Sequence, residues 1–286
     1  MAPTLIVVSE ADPVASRVVG RWGTPPSAGE FVDGTALRQL APGVTMLRRP
    51  GLHIHDEHLD RKLPSNVRDA GTTLVFPSIH RGEQNVRCLT VHPLGNLGSS
   101  SEVGGRARAV VPTDPRRMAS ALRLLSEGGR PLGLGATFEA THHGPELGLP
   151  SFFVEIGYGT DSEPPPEAVR LLADVIPTIE PDPADIVALA VGGGHYAPHF
   201  TDLALRRRWA FGHIVSRHAL ADLDRPTAES LYRATPEAVG IVYARAADAD
   251  HPLLQGLAPR ARESAAPTRE RSNAPVTPGD YSTSGT

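Results

Sequence analysis

The chain has 286 residues, 40% hydrophobic and 21% charged, with a formal net charge of −4, values that are typical of a globular protein and argue against a broad basic surface for nucleic acid. It contains no apolar run of about 18 residues and no basic segment at its start, so we expect neither a transmembrane helix nor a signal peptide, and predict a cytoplasmic protein with no membrane partner. The single Cys88 excludes an internal disulfide and a zinc site built from several cysteines.

The first half of the chain predicts several strands and one clear helix. The helix covers residues 12–19, with Asp12 as its N-cap and Pro13 at its first position. Apolar and β-branched runs, separated by segments rich in Gly, Pro and Ser, predict strands at 5–9, 31–32, 44–47, 72–76, 89–91 and 109–111.

The second half alternates strands with helices. Helices are predicted at residues 115–127, 166–175, 201–208 and 228–233. Strands are predicted at residues 134–138, 152–156, 186–191, 211–215 and 241–243. The alternation favours an α/β domain over residues 1–257, with a single mixed, mostly parallel sheet covered by helices on both faces. From residue 258 large apolar side chains are nearly absent, which predicts a disordered tail over 258–286.

Six of the 12 histidines follow strand-like runs: His80, His92, His142, His143, His195 and His213. Ligands of open α/β sheets bind in the crevice at the carboxyl ends of the strands. We therefore expect these imidazoles to gather at one edge of the sheet and to form a polar catalytic pocket.

The most apolar strand leads into Gly-Gly-Gly-His-Tyr-Ala-Pro at residues 192–198. Backbone N–H groups at Gly193 and Gly194 could stabilise an oxyanion beside His195. The alternative is a tight strand-to-helix turn that holds a structural histidine. The segment is neither a phosphate-binding P-loop nor a dinucleotide fingerprint.

A second motif, Glu-Ala-Thr-His-His-Gly-Pro, occupies residues 139–145. In an extended segment Glu139 and His143 share one side, and His142 faces the other. Both metal binding and histidine–carboxylate acid–base catalysis need such neighbours. The alternative is a surface loop with incidental histidines.

The polar loop after strand 72–76 contains His80, Arg81 and Glu83. His80 could act as a base with Glu83 beside it, and Arg81 could bind phosphate; a plain hydrophilic turn is the competing interpretation.

Glu155 lies within an apolar strand, and a buried carboxylate needs a histidine or arginine partner unless it faces a site. A separate cluster of His53, His55 and His58 could bind zinc or form an exposed loop.

Together these segments resemble the archaeal- and plant-type D-aminoacyl-tRNA deacylase family, from about residue 5 to about residue 243. The resemblance is carried by residues 8–16, 52–55, 89–96, 138–145, 153–157, 192–198 and 212–214. The motifs at 139–145 and 192–198 are very specific, because we know no other family that has both in this order.

The resemblance implies a fold related to peptidyl-tRNA hydrolases and hydrolysis of the ester that joins an amino acid to the 3′-terminal adenosine of tRNA. It also implies zinc, for which His143, His195 and Glu155 are the candidate ligands. The predicted contacts with aminoacyl-tRNA are Ser9, Asp12, Arg81, Asn96, Tyr196 and His213.

Two departures keep the acyl acceptor open. Where the family usually has a Ser-Arg-His-Ser-Ser-Glu-like stretch, this chain has residues 77–83, which keep His80 and Glu83 but lack the small hydroxyl side chains between them. In addition, Leu97 replaces an aromatic residue. The leading hypothesis is hydrolysis of D-aminoacyl-tRNA. The alternatives are transfer of the aminoacyl group to a small amine or hydroxylamine, and a tRNA-binding module without catalysis.

Overall fold

The computed structural model describes residues 2–81, 86–159 and 162–263. Its strands are β1 Thr4–Ser9, β2 Ser27–Val32, β3 Thr35–Ala41, β4 Val44–Arg49, β5 Thr73–His80, β6 Cys88–Pro93, β7 Gly95–Asn96, β8 Ala109–Val110, β9 Gly135–Phe138, β10 Ser151–Gly157, β11 Ile186–Val191, β12 Trp209–Val215 and β13 Ile241–Tyr243. Its helices are α1 Pro13–Trp22, α2 Leu59–Lys62, α3 Ser65–Arg68, α4 Pro115–Gly129, α5 Pro166–Val175, α6 Pro198–Arg206, α7 Arg217–Leu220 and α8 Arg225–Arg233.

The largest sheet is mixed and has the strand order β2-β3-β4-β1-β5-β10-β6-β9. Strands β4, β1, β5 and β10 run parallel, and β6 is antiparallel to β10 but parallel to β9. This arrangement confirms the α/β class and the predominance of parallel pairing. The expected relation to peptidyl-tRNA hydrolases stays a prediction.

Side-chain alternation along β1 shows why the sheet is covered on both faces. Ile6 and Val8 belong to a core that includes residues of α1, α4 and α5. Leu5 and Val7 belong to a second core that includes Leu59 of α2. Successive side chains of a strand point to opposite faces, so a fully apolar strand needs both layers.

The strands do not form the single sheet expected from the sequence. Within the described ranges, β12, β11 and β13 make a separate three-stranded parallel sheet, and β7 pairs with β8. The segment that follows β9 links the two larger sheets: Ala140 N donates to the carbonyl of His195, and Thr141 N donates to that of Ile214.

Most predicted elements are confirmed, with two notable differences. Strand β3 was missed because most of its residues are only partly buried, which leaves a weak apolar pattern. Helix α6 begins at Pro198 rather than residue 201, with proline in the first turn.

The packed part of the chain continues past the predicted boundary at 257. Pro259 and Ala261 form backbone hydrogen bonds with Ile241 of β13. The rest of the predicted tail, from residue 264, lies outside the described residues. No helix in the described ranges has both the length and the apolar character that crossing a membrane requires.

Candidate active site

Five imidazoles surround two carboxylates on one face of the large sheet. In β5, Phe76, Ser78 and His80 alternate onto this face. They lie beside Phe153, Glu155 and Gly157 of β10, which in turn lie beside His92, Thr90 and Cys88 of β6. The remaining members of the cluster are Glu139, His142 and His143, which follow β9, and His195, which follows β11.

The expectation that these histidines meet at one carboxyl edge is wrong for His80 and His92. Their strands β5 and β6 run in opposite directions, since both pair with β10, one parallel and one antiparallel. The two histidines share a face of the sheet instead, because side chains two residues apart point the same way.

Glu139 is the centre of the cluster and has no solvent exposure. Its Oε1 lies 3.1 Å from His80 Nδ1, and its Oε2 lies 3.2 Å from His195 Nε2 and 3.5 Å from His142 Nε2. Neither oxygen has a partner with hydrogen-bond geometry in the described part of the chain. Burial alone would raise the pKa of Glu139, but His195 and the charges of His92 and His80 outweigh it and lower the pKa.

Glu155 is the second buried carboxylate. Its Oε2 lies 3.5 Å from His80 Nδ1 and 3.7 Å from His92 Nε2. Burial opposes its charge, but these two histidines hold its pKa well below the ordinary value. Burial likewise opposes protonation of His80 and His92, yet the carboxylates outweigh it and raise the pKa of both. The cluster therefore favours positive charge around the two glutamates.

The pKa values of His142 and His143 shift in the opposite direction to those of His80 and His92. The Nδ1 of His142 lies 2.8 Å from the carbonyl of Ala140, and that of His143 lies 2.7 Å from the carbonyl of Gly144. A carbonyl only accepts, so both Nδ1 atoms carry the proton and both Nε2 atoms remain unprotonated in the neutral rings. Burial and the neighbouring histidines lower the pKa of His142 far below its usual value and that of His143 to about 4.

A cavity of about 840 Å³ opens over this cluster. His80, His142, His143, His195 and Glu155 contribute to its wall. His195 is the most accessible of these imidazoles, with 47% of its side chain exposed. The cavity is large enough for a small-molecule-sized group, and the imidazoles reach it directly.

Two of the predicted substrate contacts have positions that allow contact with a ligand, and a third contacts His80. Arg81 and Asn96 line the cavity, and Arg81 is exposed. The hydroxyl of Tyr196 lies 3.0 Å from His80 Nε2, so Tyr196 acts on the site through that imidazole.

Ser9, Asp12 and His213 are instead held by internal hydrogen bonds. Ser9 is fully buried and donates to the carbonyl of Gly51. His213 is also fully buried and bonds Thr141 Oγ1 and the carbonyl of Val111. Asp12 touches the cavity, but both of its oxygens accept hydrogen bonds from the protein. The structure therefore contradicts the prediction that Ser9 and His213 contact substrate directly. Both residues have a structural role.

Gly193 and Gly194 lie between β11 and His195, outside the cavity wall as defined by the described residues. The φ angle of Gly193 is 82°, a conformation that favours glycine, and its carbonyl accepts from Arg217 N. Their assignment as oxyanion donors stays a prediction. Glu83 lies outside the described residues.

Three groups of side chains in the described ranges have ligand atoms within 4.8 Å of one another: His92 with His142 and His143, His80 with Glu139 and His195, and His92 with Glu139 and Glu155. The set expected from the sequence, His143, His195 and Glu155, is not one of them, because its members fall into three different groups. His53, His55 and His58 form no such group there.

Several residues of the observed site were not predicted from the sequence. His92 was singled out as following a strand but was not assigned to the site; its pairing with Phe153 required knowledge of the strand register. The cavity wall from Leu97 to Val103 carries no motif that could have been found. Cys88 is a core residue as expected, and burial raises the pKa of its thiol to about 12.

Comparison with known proteins gives a consistent result. A family model described as D-aminoacyl-tRNA deacylase matches residues 68–252. A D-aminoacyl-tRNA deacylase of Thermoplasma volcanium is 34% identical over 195 residues, which cover 67% of this chain and 74% of that protein. One of Methanoregula boonei is 40% identical over 184 residues, 63% of this chain and 40% of the relative. A crystal structure of a conserved protein of unknown function superposes with a TM-score of 0.77 at 26% identity, covering 89% of this chain and 90% of the other.

Proposed function

The chain belongs to the D-aminoacyl-tRNA deacylase family, and on that premise we propose that it hydrolyses the ester between a D-amino acid and the 3′ end of tRNA. The products are the free D-amino acid and tRNA. The observation that carries the proposal is the convergence of five imidazoles and two buried carboxylates under one cavity. Ester hydrolysis needs a proton acceptor for water and a proton donor for the leaving oxygen, and this cluster can supply both.

His195 is the proposed general base. Its Nε2 lies 3.2 Å from Glu139, so a proton on that atom is stabilised and the other ring nitrogen remains available. Water attacks the carbonyl carbon while its proton passes to His195. The same proton is returned to the ribose oxygen as the ester C–O bond breaks.

The substrate is held by groups at the cavity wall. Arg81 is placed for a phosphate of the tRNA 3′ end, since its guanidinium is exposed at the cavity. Asn96 donates from Nδ2 to the carbonyl of Gly104 at 2.8 Å and so shapes the wall beside the site. The N–H groups of Gly193 and Gly194 are assigned to the oxyanion, a role that would be worth several kcal/mol.

We further propose that zinc binds to His92, His142 and His143. In each of them Nδ1 faces a backbone carbonyl, that of Pro93 at 3.2 Å for His92. Zinc-binding histidines usually donate their second ring nitrogen in this way, which leaves Nε2 to the metal. His92 Nε2 is buried without a hydrogen-bond partner in the described structure, and the chain's residues thus fit the ion.

Zinc bound there supplies Lewis-acid polarisation of a carbonyl oxygen. The buried carboxylates of Glu139 and Glu155 would favour a cation at this place. We place the reaction in the cytoplasm, where charged tRNA is made and used.

The test is an assay of purified protein with matched D- and L-aminoacyl-tRNAs, with and without a small amine or hydroxylamine. We expect release of free amino acid from the D-ester in water alone, with the L-ester hydrolysed more slowly. Esters that turn over only with the amine would support the transferase alternative and overturn hydrolysis. Tight tRNA binding with no turnover would support the binding-module alternative.

A further inference from the structure

One side of the cavity is formed by residues 97–108, here called the wall loop. At its start Ser99 donates from N and Oγ to Asp222 Oδ2 at 2.6 and 2.7 Å, and at its end Arg108 contacts Asp222 Oδ1 at 2.8 Å. In its middle Gly105 N donates to Glu57 Oε1 at 2.5 Å. The wall loop is therefore fixed to two separate parts of the molecule, near Asp222 and near Glu57.

The wall loop places Glu102 in the wall of the cavity that the histidine cluster also lines. Gly144 N, next to His143, donates to the carbonyl of Val103 at 3.2 Å, so the backbone adjoining Glu102 contacts the catalytic segment. Glu102 lines the same cavity as His143 and His195. Glu102 is exposed, and among the described residues its carboxylate has neither an ion-pair partner nor a hydrogen-bond partner.

The other carboxylates at the cavity are already engaged. Asp12 accepts four hydrogen bonds from α1 and β5. Asp222 holds the wall loop, and Glu155 contacts His80 and His92. Among the described residues of the cavity wall, Glu102 is the remaining acidic group that a ligand can pair with.

An unpaired carboxylate is unfavourable in a site for a polyanion, because tRNA carries a negative charge at each phosphate. The aminoacyl end of that substrate has one cationic group, its α-ammonium, two bonds from the ester carbonyl. A carboxylate in the wall of the cavity that the imidazoles also line matches that group in charge.

We infer that Glu102 binds the α-ammonium of the aminoacyl group, so that the site requires a free amine on its substrate. The inference rests on the proposed function. It predicts discrimination against esters whose amine is acylated, because an amide nitrogen carries no charge and leaves Glu102 unpaired.

The experiment compares one D-aminoacyl-tRNA with its N-acetylated form, using wild type, Glu102→Gln and Glu127→Gln. Glu127 is an exposed residue of α4, outside the cavity wall, and controls for the loss of one charge. We expect Glu102→Gln to lower kcat/KM for the free-amine ester roughly 10- to 100-fold, the range of one charge-assisted hydrogen bond. The N-acetyl ester should change by less than about twofold, and Glu127→Gln should affect neither. Equal losses on both esters, or no loss on either, would overturn the inference.

A binding measurement separates this result from the fate of the proposed function. The probe is adenosine with a D-phenylalanyl group attached at the 3′ position through a non-hydrolysable amide, in free-amine and N-acetyl forms. Wild type should bind the free-amine form roughly 10-fold or more tightly than the N-acetyl form, and Glu102→Gln should bind the two alike. Preference for the free amine without any ester hydrolysis would support the subsite and refute deacylation. Equal binding by wild type would refute the subsite alone.

Discussion

Histidines that look alike in the sequence differ at the site because their neighbours differ. His80 contacts two carboxylates, and these raise its pKa in spite of burial. His143 is buried among other histidines with its Nδ1 on a carbonyl, and its pKa falls to about 4. The carboxylates therefore favour protonation of His80, whereas His143 is neutral at neutral pH and can bind a metal. Sequence spacing could nominate both residues, but it could not assign these opposite roles.

The proposed roles of His142 as a zinc ligand and His195 as the general base predict different effects of their substitution. We expect His142→Ala to lose most of its zinc together with its activity. His195→Ala should keep its zinc while kcat falls by roughly 10²–10⁴-fold, as expected for a general base. The measurements are metal content of the purified proteins and single-turnover hydrolysis.

His55→Ala is the control, because His55 is exposed and lies outside every group that could hold a metal in the described residues. It should match wild type in both measurements. Loss of zinc from His195→Ala with retention by His142→Ala would reverse the assignment.

At the scale of elements, strand register brings the site together. The strands that carry His80 and His92 run in opposite directions, so gathering at one carboxyl edge is impossible for this pair. Their shared face arises from the two-residue alternation of side chains on either side of β10. The sequence predicted the strands and the polar positions along them, but the order of the strands depends on pairing between distant segments.

Asp12 joins two of these elements and should matter for stability. Its Oδ1 caps α1 by accepting from Val14 N and Ala15 N, both at 2.8 Å. Its Oδ2 accepts from Ser78 Oγ at 2.9 Å and Ile79 N at 3.1 Å in β5. Asp12→Ala should lower the free energy of unfolding by about 2–4 kcal/mol, since the cap is lost and buried donors are left unpaired.

Urea unfolding measures this effect, and Asp224→Ala is a matched control. Asp224 caps α8 at Thr227 N and contacts Arg108, but within the described residues it accepts no hydrogen bond from a strand. Its substitution should cost about 1 kcal/mol. Equal losses in the two variants would show that the link from α1 to β5 contributes nothing.

At the scale of the whole molecule, the site depends on the junction between two sheets. The segment after β9 supplies Glu139 to the cluster and pairs with the segments that carry His195 and Ile214. His213 lies in this junction: its Nε2 donates to the carbonyl of Val111 at 3.0 Å, and its Nδ1 accepts from Thr141 at 3.1 Å. Burial lowers the pKa of His213 to about 3, so the ring is neutral when the protein is folded.

This buried histidine predicts acid sensitivity. Between about pH 6.5 and pH 3 the unfolded chain binds a proton at His213 that the folded protein does not, so the free energy of unfolding falls as the pH falls. At pH 7.5 His213→Gln should be less stable than wild type, because the junction loses its hydrogen bonds. At pH 5 the difference in free energy of unfolding between the two proteins should shrink by about 2 kcal/mol. Only the wild type loses stability there, because its folded state must keep His213 neutral. Denaturant unfolding at the two pH values measures the difference, and one that does not change with pH would contradict this account.

The sequence by itself determined the α/β class, most strands and helices, the helix cap at Asp12 and the residues of the cluster other than His92. These follow from local patterns: apolar periodicity, capping residues and two specific motifs. Tertiary structure alone decided that the strands divide between sheets, that the histidines share a face, that Ser9 and His213 are structural and that Glu102 faces the cavity. Each of these depends on contacts between residues far apart in the chain, and a one-residue change of register would turn the same side chains to the opposite face.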